Sequence, residues 1–181
     1  AINNHIKIIR DEAIGAYSFD NSATETAGGT SDWTTSQVMK LLNNGYSGTG
    51  GSLYWNRQSG SCYASATTNN ATISCDFTTT GLSSTAQSQI ATVKWYLGAV
   101  DWVENRPQEE FYSLERGNTV YTSATLPRKT NWLGQVGLPY VSDAMFSAVN
   151  EESWFYNSSA SSWSIVPYPN DSAHIYSLRV Y

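Results

Sequence analysis

Cys62 and Cys75 are the only cysteines among 181 residues, and each lies in a strand-like run, Ser61-Cys62-Tyr63-Ala64 and Ile73-Ser74-Cys75-Asp76-Phe77. Between them, Thr67-Thr68-Asn69-Asn70 is turn material. The pattern predicts a hairpin closed by a disulfide. Closing a loop of this length contributes roughly 3 kcal/mol by restricting the unfolded chain. Such a bond persists in an oxidising compartment, so an extracellular or cell-surface location is expected.

The rest of the composition fits that setting. Charged residues make up 14% of the chain, against about 25% in ordinary soluble proteins, and Ser, Thr, Asn and Gly take their place. Hydrophobic residues reach 40%, enough for one domain, residues 1–181, with a real core. The net charge is -5 and no basic cluster is present, which leaves nucleic acid and anionic lipid without a footprint to dock on. No apolar run is long enough to span a bilayer, and Ala1-Ile2-Asn3-Asn4-His5 is not a signal peptide. Asn-x-Ser/Thr sites at Asn70, Asn157 and Asn170 are what chance supplies in so Asn- and Ser-rich a chain.

Two helices stand out. Thr34-Thr35-Ser36-Gln37 has the form of a capping box and opens a helix over 34–43, with Val38, Leu41 and Leu42 on one face and Trp33 stapling its start. Ser84-Thr85-Ala86-Gln87 repeats the device for a helix over 84–97, with Ala86, Ile90, Val93 and Leu97 at helical spacing and Gly98 as its cap. A short third helix is expected from Ser142, carrying Ala144, Met145 and Ala148. Short strands are expected at His5–Arg10, Ala16–Phe19, Ser52–Trp55, Thr119–Tyr121, Gln135–Leu138, Trp163–Val166 and His174–Tyr181. Few helices among short strands, without βαβ alternation, point to an α+β fold with an antiparallel sheet. The last run alternates up to Tyr181, so either it is the closing strand of the sheet or the chain is a piece of a longer one.

Several ordered motifs resemble a family of uncharacterised cell-surface proteins of gut Firmicutes and Mollicutes. They are Ile8-Ile9-Arg10-Asp11-Glu12-Ala13-Ile14-Gly15, Asp32-Trp33, Gly51-Ser52-Leu53-Tyr54-Trp55-Asn56, Cys62-Tyr63 with Cys75-Asp76-Phe77, Trp95-Tyr96-Leu97-Gly98, Glu115-Arg116-Gly117 and Trp132-Leu133-Gly134-Gln135-Val136-Gly137-Leu138. The resemblance implies a C-type-lectin-like fold that displays aromatic and small polar side chains near its C-terminus. Other relatives resemble prepilins, which implies a place on a pilus-like filament. Members of the family continue past the position of Tyr181, which implies a longer chain.

Reactive chemistry is sparse. A hydrolase needs a nucleophile, a base and an orienting group, but the histidines are His5 and His174, in different expected strands, and no Gly-x-Ser-x-Gly turn occurs. The acid pairs Asp11-Glu12, Glu109-Glu110 and Glu151-Glu152 read as solvated charge, and Asn170-Asp171 is only a fragment of a Ca²⁺ sphere. No cofactor, metal or catalytic residue is expected, and a secreted hydrolase is the weakest of three functional classes. Aromatics carry more. Seven Trp and twelve Tyr exceed what a core of this size uses; Trp55, Trp95, Tyr96 and Trp132 are assigned to the core. Trp154, Tyr156, Trp163, Tyr168 and Tyr176, with Asn170, Asp171 and His174, have the Tyr/Trp and polar mixture of a binding surface. The leading expectation is therefore a non-enzymatic binding module for a protein or glycan ligand. The alternative is a filament subunit that buries the same rings against copies of itself.

Overall fold

The disulfide forms where the cysteine spacing puts it. In the computed structural model, which describes residues 5–10, 13–20, 32–44, 52–63, 71–98, 107–117, 129–147, 161–167 and 175–179, β1 (Ser59–Cys62) pairs antiparallel with β2 (Ile73–Asp76). Cys62 faces Ile73 and Cys75 faces Gly60, so the bridge joins the strands diagonally, with Cα atoms 5.9 Å apart. Both cysteines are buried, and the bridge is part of the core.

The chain is mixed helix and strand, with three two-stranded antiparallel ladders among the described residues. The order is α1 (Gln37–Leu42), α2 (Leu53–Asn56), β1, β2, α3 (Ser84–Gln89), β3 (Val93–Tyr96), α4 (Gln108–Glu115), β4 (Asn131–Gly134), α5 (Val141–Ser147), β5 (Ser161–Pro167) and β6 (Ile175–Arg179). The ladder partners are β1 with β2, β3 with β4, and β5 with β6.

The first helix starts later than its capping box predicts. Asp32 Oδ1 accepts from both the backbone N–H and the hydroxyl of Thr34 (2.8 Å each), which turns Thr34 away from any capping role. Ser36 is the N-cap instead and accepts from Met39 N. Val38, Met39, Leu41 and Leu42 are buried. Trp33 does not staple the helix start but sits deep in the core, edge-on to Trp132 at 5.6 Å and tilted against Phe19.

The second helix is half its expected length. Ser83, not Ser84, caps it, and Gln87 donates to the carbonyls of Trp55 and Leu82 instead of closing a box. After Ile90 the chain becomes β3, because Trp95 and Leu97 are buried on every second residue while Lys94 is exposed. Val93 and Leu97 satisfy both a helical and a strand period, and tryptophan at the position between them decides for the strand. α3 buries nothing, and Ile90 is only half-buried.

Other expected strands are also replaced. Ser52–Trp55 forms the single turn α2, bracketed by Ser52 and Arg57 at φ 60° and 53°, because Leu53, Tyr54 and Trp55 are all buried and a strand with one wet face cannot bury three in a row. The strand expected at Gln135–Leu138 lies earlier, as β4, in register Trp95 to Trp132 and Lys94 to Leu133. Residues 16–19 join no ladder, although Ser18 N bonds Tyr63 O. In residues 5–10 only His5 makes a bridge. Tyr96 is half-buried and not core. The helix at Ser142 and the strands at Trp163 and Ile175 are present, while Thr119–Tyr121 and Ala148 lie outside the described residues.

Asn43 ties these pieces together. Fully buried at the end of α1, it donates through Nδ2 to Met39 O (3.0 Å) and Val136 O (2.9 Å), and its Oδ1 accepts from Val136 N (2.9 Å). Its own carbonyl accepts from Ser52 Oγ (2.8 Å). Replacing Asn43 by Ala leaves both polar groups of half-buried Val136 without their partner, and unpaired buried groups cost about 1 to 3 kcal/mol each. Urea unfolding of Asn43→Ala is expected to report a loss of about 2 to 4 kcal/mol. A loss under about half a kcal/mol would mean that water replaces the bridge.

Candidate functional site

Of the eight residues singled out from the sequence, the structure describes two. Trp163 and Tyr176 lie on β5 and β6, with Trp163 opposite Ser177 and an irregular register between Trp163 and Pro167. Ile165 N bonds Pro139 O at 3.1 Å, which roots the hairpin in the core. Trp154, Tyr156, Tyr168, Asn170, Asp171 and His174 lie outside the described residues.

What the structure gathers instead is a buried charged cluster that the sequence reading missed. It begins with α4, an element not expected from sequence. Pro107 is its N-cap, Glu109 and Glu110 occupy the first turn where the helix dipole favours acid, and Phe111 is buried. Its last residue, Glu115, is fully buried. Glu115 Oε1 accepts from Ser142 N (3.0 Å), and its Oε2 accepts from Ser142 Oγ in a short bond. The carboxyl thus satisfies an otherwise unpaired N–H in the first turn of α5. Gly98 makes room for this end of α4: its N–H bonds Glu115 O (2.9 Å), and a Cβ there would collide with the carbonyls of Leu114, Glu115 and Gly117.

Tyr140 is the hub. Its ring stacks on Trp95 (6.2 Å, 30°), and its hydroxyl accepts from Tyr96 N at 2.8 Å. Two cations approach the ring, Lys7 Nζ at 4.4 Å and the Arg116 guanidinium at 4.8 Å from its centroid. Arg116 also lies over Tyr112 and reaches Glu115 Oε2 at 3.4 Å. Lys7 pairs with Asp143 Oδ2, which also accepts from Tyr140 N (2.7 Å).

Lys7 reaches this cluster by inverting the expected pattern of its segment. Ile6 and Ile8 are 87% and 89% exposed, while the Lys7 side chain is 18% exposed. Each isoleucine left in water forgoes roughly 1.5 to 3 kcal/mol. Arg10 then donates to Tyr54 OH and Thr80 O, both at 3.2 Å, so the segment runs from α5 to α2 and the turn after β2.

Electrostatics follow from burial. Burial pushes the Glu115 carboxyl up, against the opposing pull of Ser142 and Arg116. It pushes the Lys7 ammonium down, with Asp143 opposing, and raises the Tyr140 phenol far above its ordinary value. Among the described residues no grouping of His, Cys, Asp and Glu could hold a metal ion. The concavity lined by Tyr17, Ser18, Gln37, Val38, Leu41, Cys62 and Tyr63 has room for about one water molecule. Among the described residues no helix is long and apolar enough to cross a membrane.

The signals for the cluster were present but weak. Pro107 with Glu109-Glu110 is a helix start, and residues 5–10 were expected only as a strand, with no inward role for Lys7. No protein-family model matches the chain, and no match was found among curated proteins or among solved structures. The family resemblance therefore rests on the motifs alone.

Because Glu115 holds its proton more tightly folded than unfolded, it adds stability at acid pH that is lost as pH rises from the ordinary value of 4.5 through its raised value. Glu115→Gln, neutral at every pH, is expected to flatten this decline. Urea midpoints of parent and variant, measured from pH 4.5 to neutrality, check it; parallel curves would mean that Glu115 titrates normally.

Proposed function

We propose that this chain is an extracellular, non-enzymatic binding module that contacts a protein or glycan partner through its C-terminal hairpin. The observation that carries the reading is the β5–β6 ladder, in which Trp163 and Tyr176 share one hairpin anchored to the core at Ile165. An irregular register of this kind re-aims side chains, and a rigid root lowers the entropy cost of binding. The Cys62–Cys75 bridge supports an oxidising location. Short helices beside antiparallel hairpins around one core are consistent with a C-type-lectin-like arrangement. The cluster around Tyr140 supports a non-catalytic reading, since Glu115 is fully buried and its oxygens are taken by Ser142 and Arg116.

A second reading, a subunit of an extracellular filament, draws on the exposed Ile6, Ile8, Leu133 and Phe146, apolar surface of the kind that copies of a chain cover in an assembly.

Trp163→Ala and Tyr176→Ala separate the readings. Parent and variants are compared by thermal melting, by binding to a printed glycan array and to immobilised mucin, and by sedimentation. Interface anchors are expected to cost at least tenfold in binding with little change in melting. Loss of assembly without loss of glycan or mucin binding would favour the filament. Unfolding of both variants would make the hairpin core and end its role as a site.

A further inference from the structure

Turning Lys7 inward leaves Ile6 and Ile8 in water, and the part-buried ion pair it makes in exchange gives up hydration on both partners. Nζ lies against the Asp143 carboxyl, and the Trp95 and Tyr140 rings stand beside it, at 5.6 and 4.4 Å to their centroids. The Asp143 carboxyl is held from its own side by Tyr140 N–H at 2.7 Å, and Glu115 fixes the same helix start through Ser142.

We propose that Lys7 Nζ and Asp143 Cγ close an intramolecular amide bond, formed by the folded chain itself without a cofactor. The ammonium passes one proton to Asp143 Oδ2 across the hydrogen bond they already share, leaving a neutral amine beside a neutral carboxylic acid. The amine lone pair attacks Cγ. A second proton moves from nitrogen to the same oxygen, the C–Oδ2 bond breaks and water leaves. Of the three hydrogens of the ammonium, two depart with Oδ2 and one stays on the amide. No electrons are exchanged with any other group.

Condensation of an amine with an acid is unfavourable between free molecules in water, and two features reverse that here. Fixed proximity replaces a bimolecular encounter, and effective molarities of about 10⁵ to 10⁸ M are reached in well-oriented intramolecular reactions. Burial drives Lys7 toward the free amine, and the neighbouring Arg116 charge acts in the same sense, against the pull of Asp143 itself. The Tyr140 N–H holds Oδ2, the oxygen that leaves, in place beside the Lys7 amine.

Mass spectrometry of the whole protein, denatured, reduced and alkylated, tests the bond. The expected mass is that of the alkylated sequence less one water. Trypsin, which no longer cuts at an acylated Lys7, is expected to release residues 1–10 joined to residues 130–179. Lys7→Arg and Asp143→Ala are each expected to restore the full sequence mass, and if one of them does not fold, the parent's mass still decides. A parent with the full sequence mass and a cleavable Lys7 overturns the proposal. So does a deficit of one water that survives in both variants.

Discussion

The side chain of Asn43 is the constraint on which the arrangement turns. An amide offers a donor and an acceptor in the same geometry as a peptide group, and Asn43 uses both on Val136 while keeping Met39 and Ser52 as partners. It does for α1 and the segment after β4 what a ladder does for two strands. Two neighbouring stretches and a third 93 residues away are fixed by one residue, and with them the positions of Trp33 and Trp132, whose rings meet edge-on beneath. Aspartate or leucine would fit the space but not the bonding. The core is aromatic and tolerant of small shifts; its polar bridge is not.

A second bonded frame, around Tyr140, orders the other end of the molecule. α4, α5 and β3 meet there through Glu115 with Ser142 and Tyr96 with Tyr140. The start of α5 finds its partner in Glu115 and the end of α4 finds one in the Gly98 N–H, so these short helices are held by tertiary contacts. α3 marks the contrast: it buries nothing, and its cap at Ser83 with the Gln87 bonds to Trp55 and Leu82 does the work.

Legibility in the sequence followed locality. The cysteine hairpin could be read because both its strands, its turn and its crosslink fall within eighteen consecutive residues, 59–76. The Thr34-led and Ser84-led helix starts were legible to within about three residues, because capping is local; the competitor at Asp32 moved the first, and a neighbouring serine took the second. Lengths failed where one spacing served two periods, as at Val93, Trp95 and Leu97, and where a run of three buried side chains suited a turn of helix better than a strand. The charged cluster was illegible for a different reason. Glu115 and Lys7 are ordinary surface residues by composition, and only the packing of Tyr140 between elements from opposite ends of the chain brings them inside. Of the proposed binding face, the two strands were legible as the runs Trp163–Val166 and His174–Tyr181, while their pairing with each other came only from the fold.

The strap of residues 5–10 also sets how the molecule would carry a load. His5 makes a backbone bridge, and beyond it the strap touches the body by side chains, at Asp143 through Lys7 and at Thr80 and Tyr54 through Arg10, while residues 6–10 contribute to no ladder. Tension that passes the His5 bridge therefore arrives next at Lys7, and Ile8, Ile9 and Arg10 stay slack until that contact gives way. Whatever fastens Lys7 acts as the fuse of the domain. Its strength decides whether a pull peels the strap toward α2 or passes directly into α5 and the aromatic core behind it.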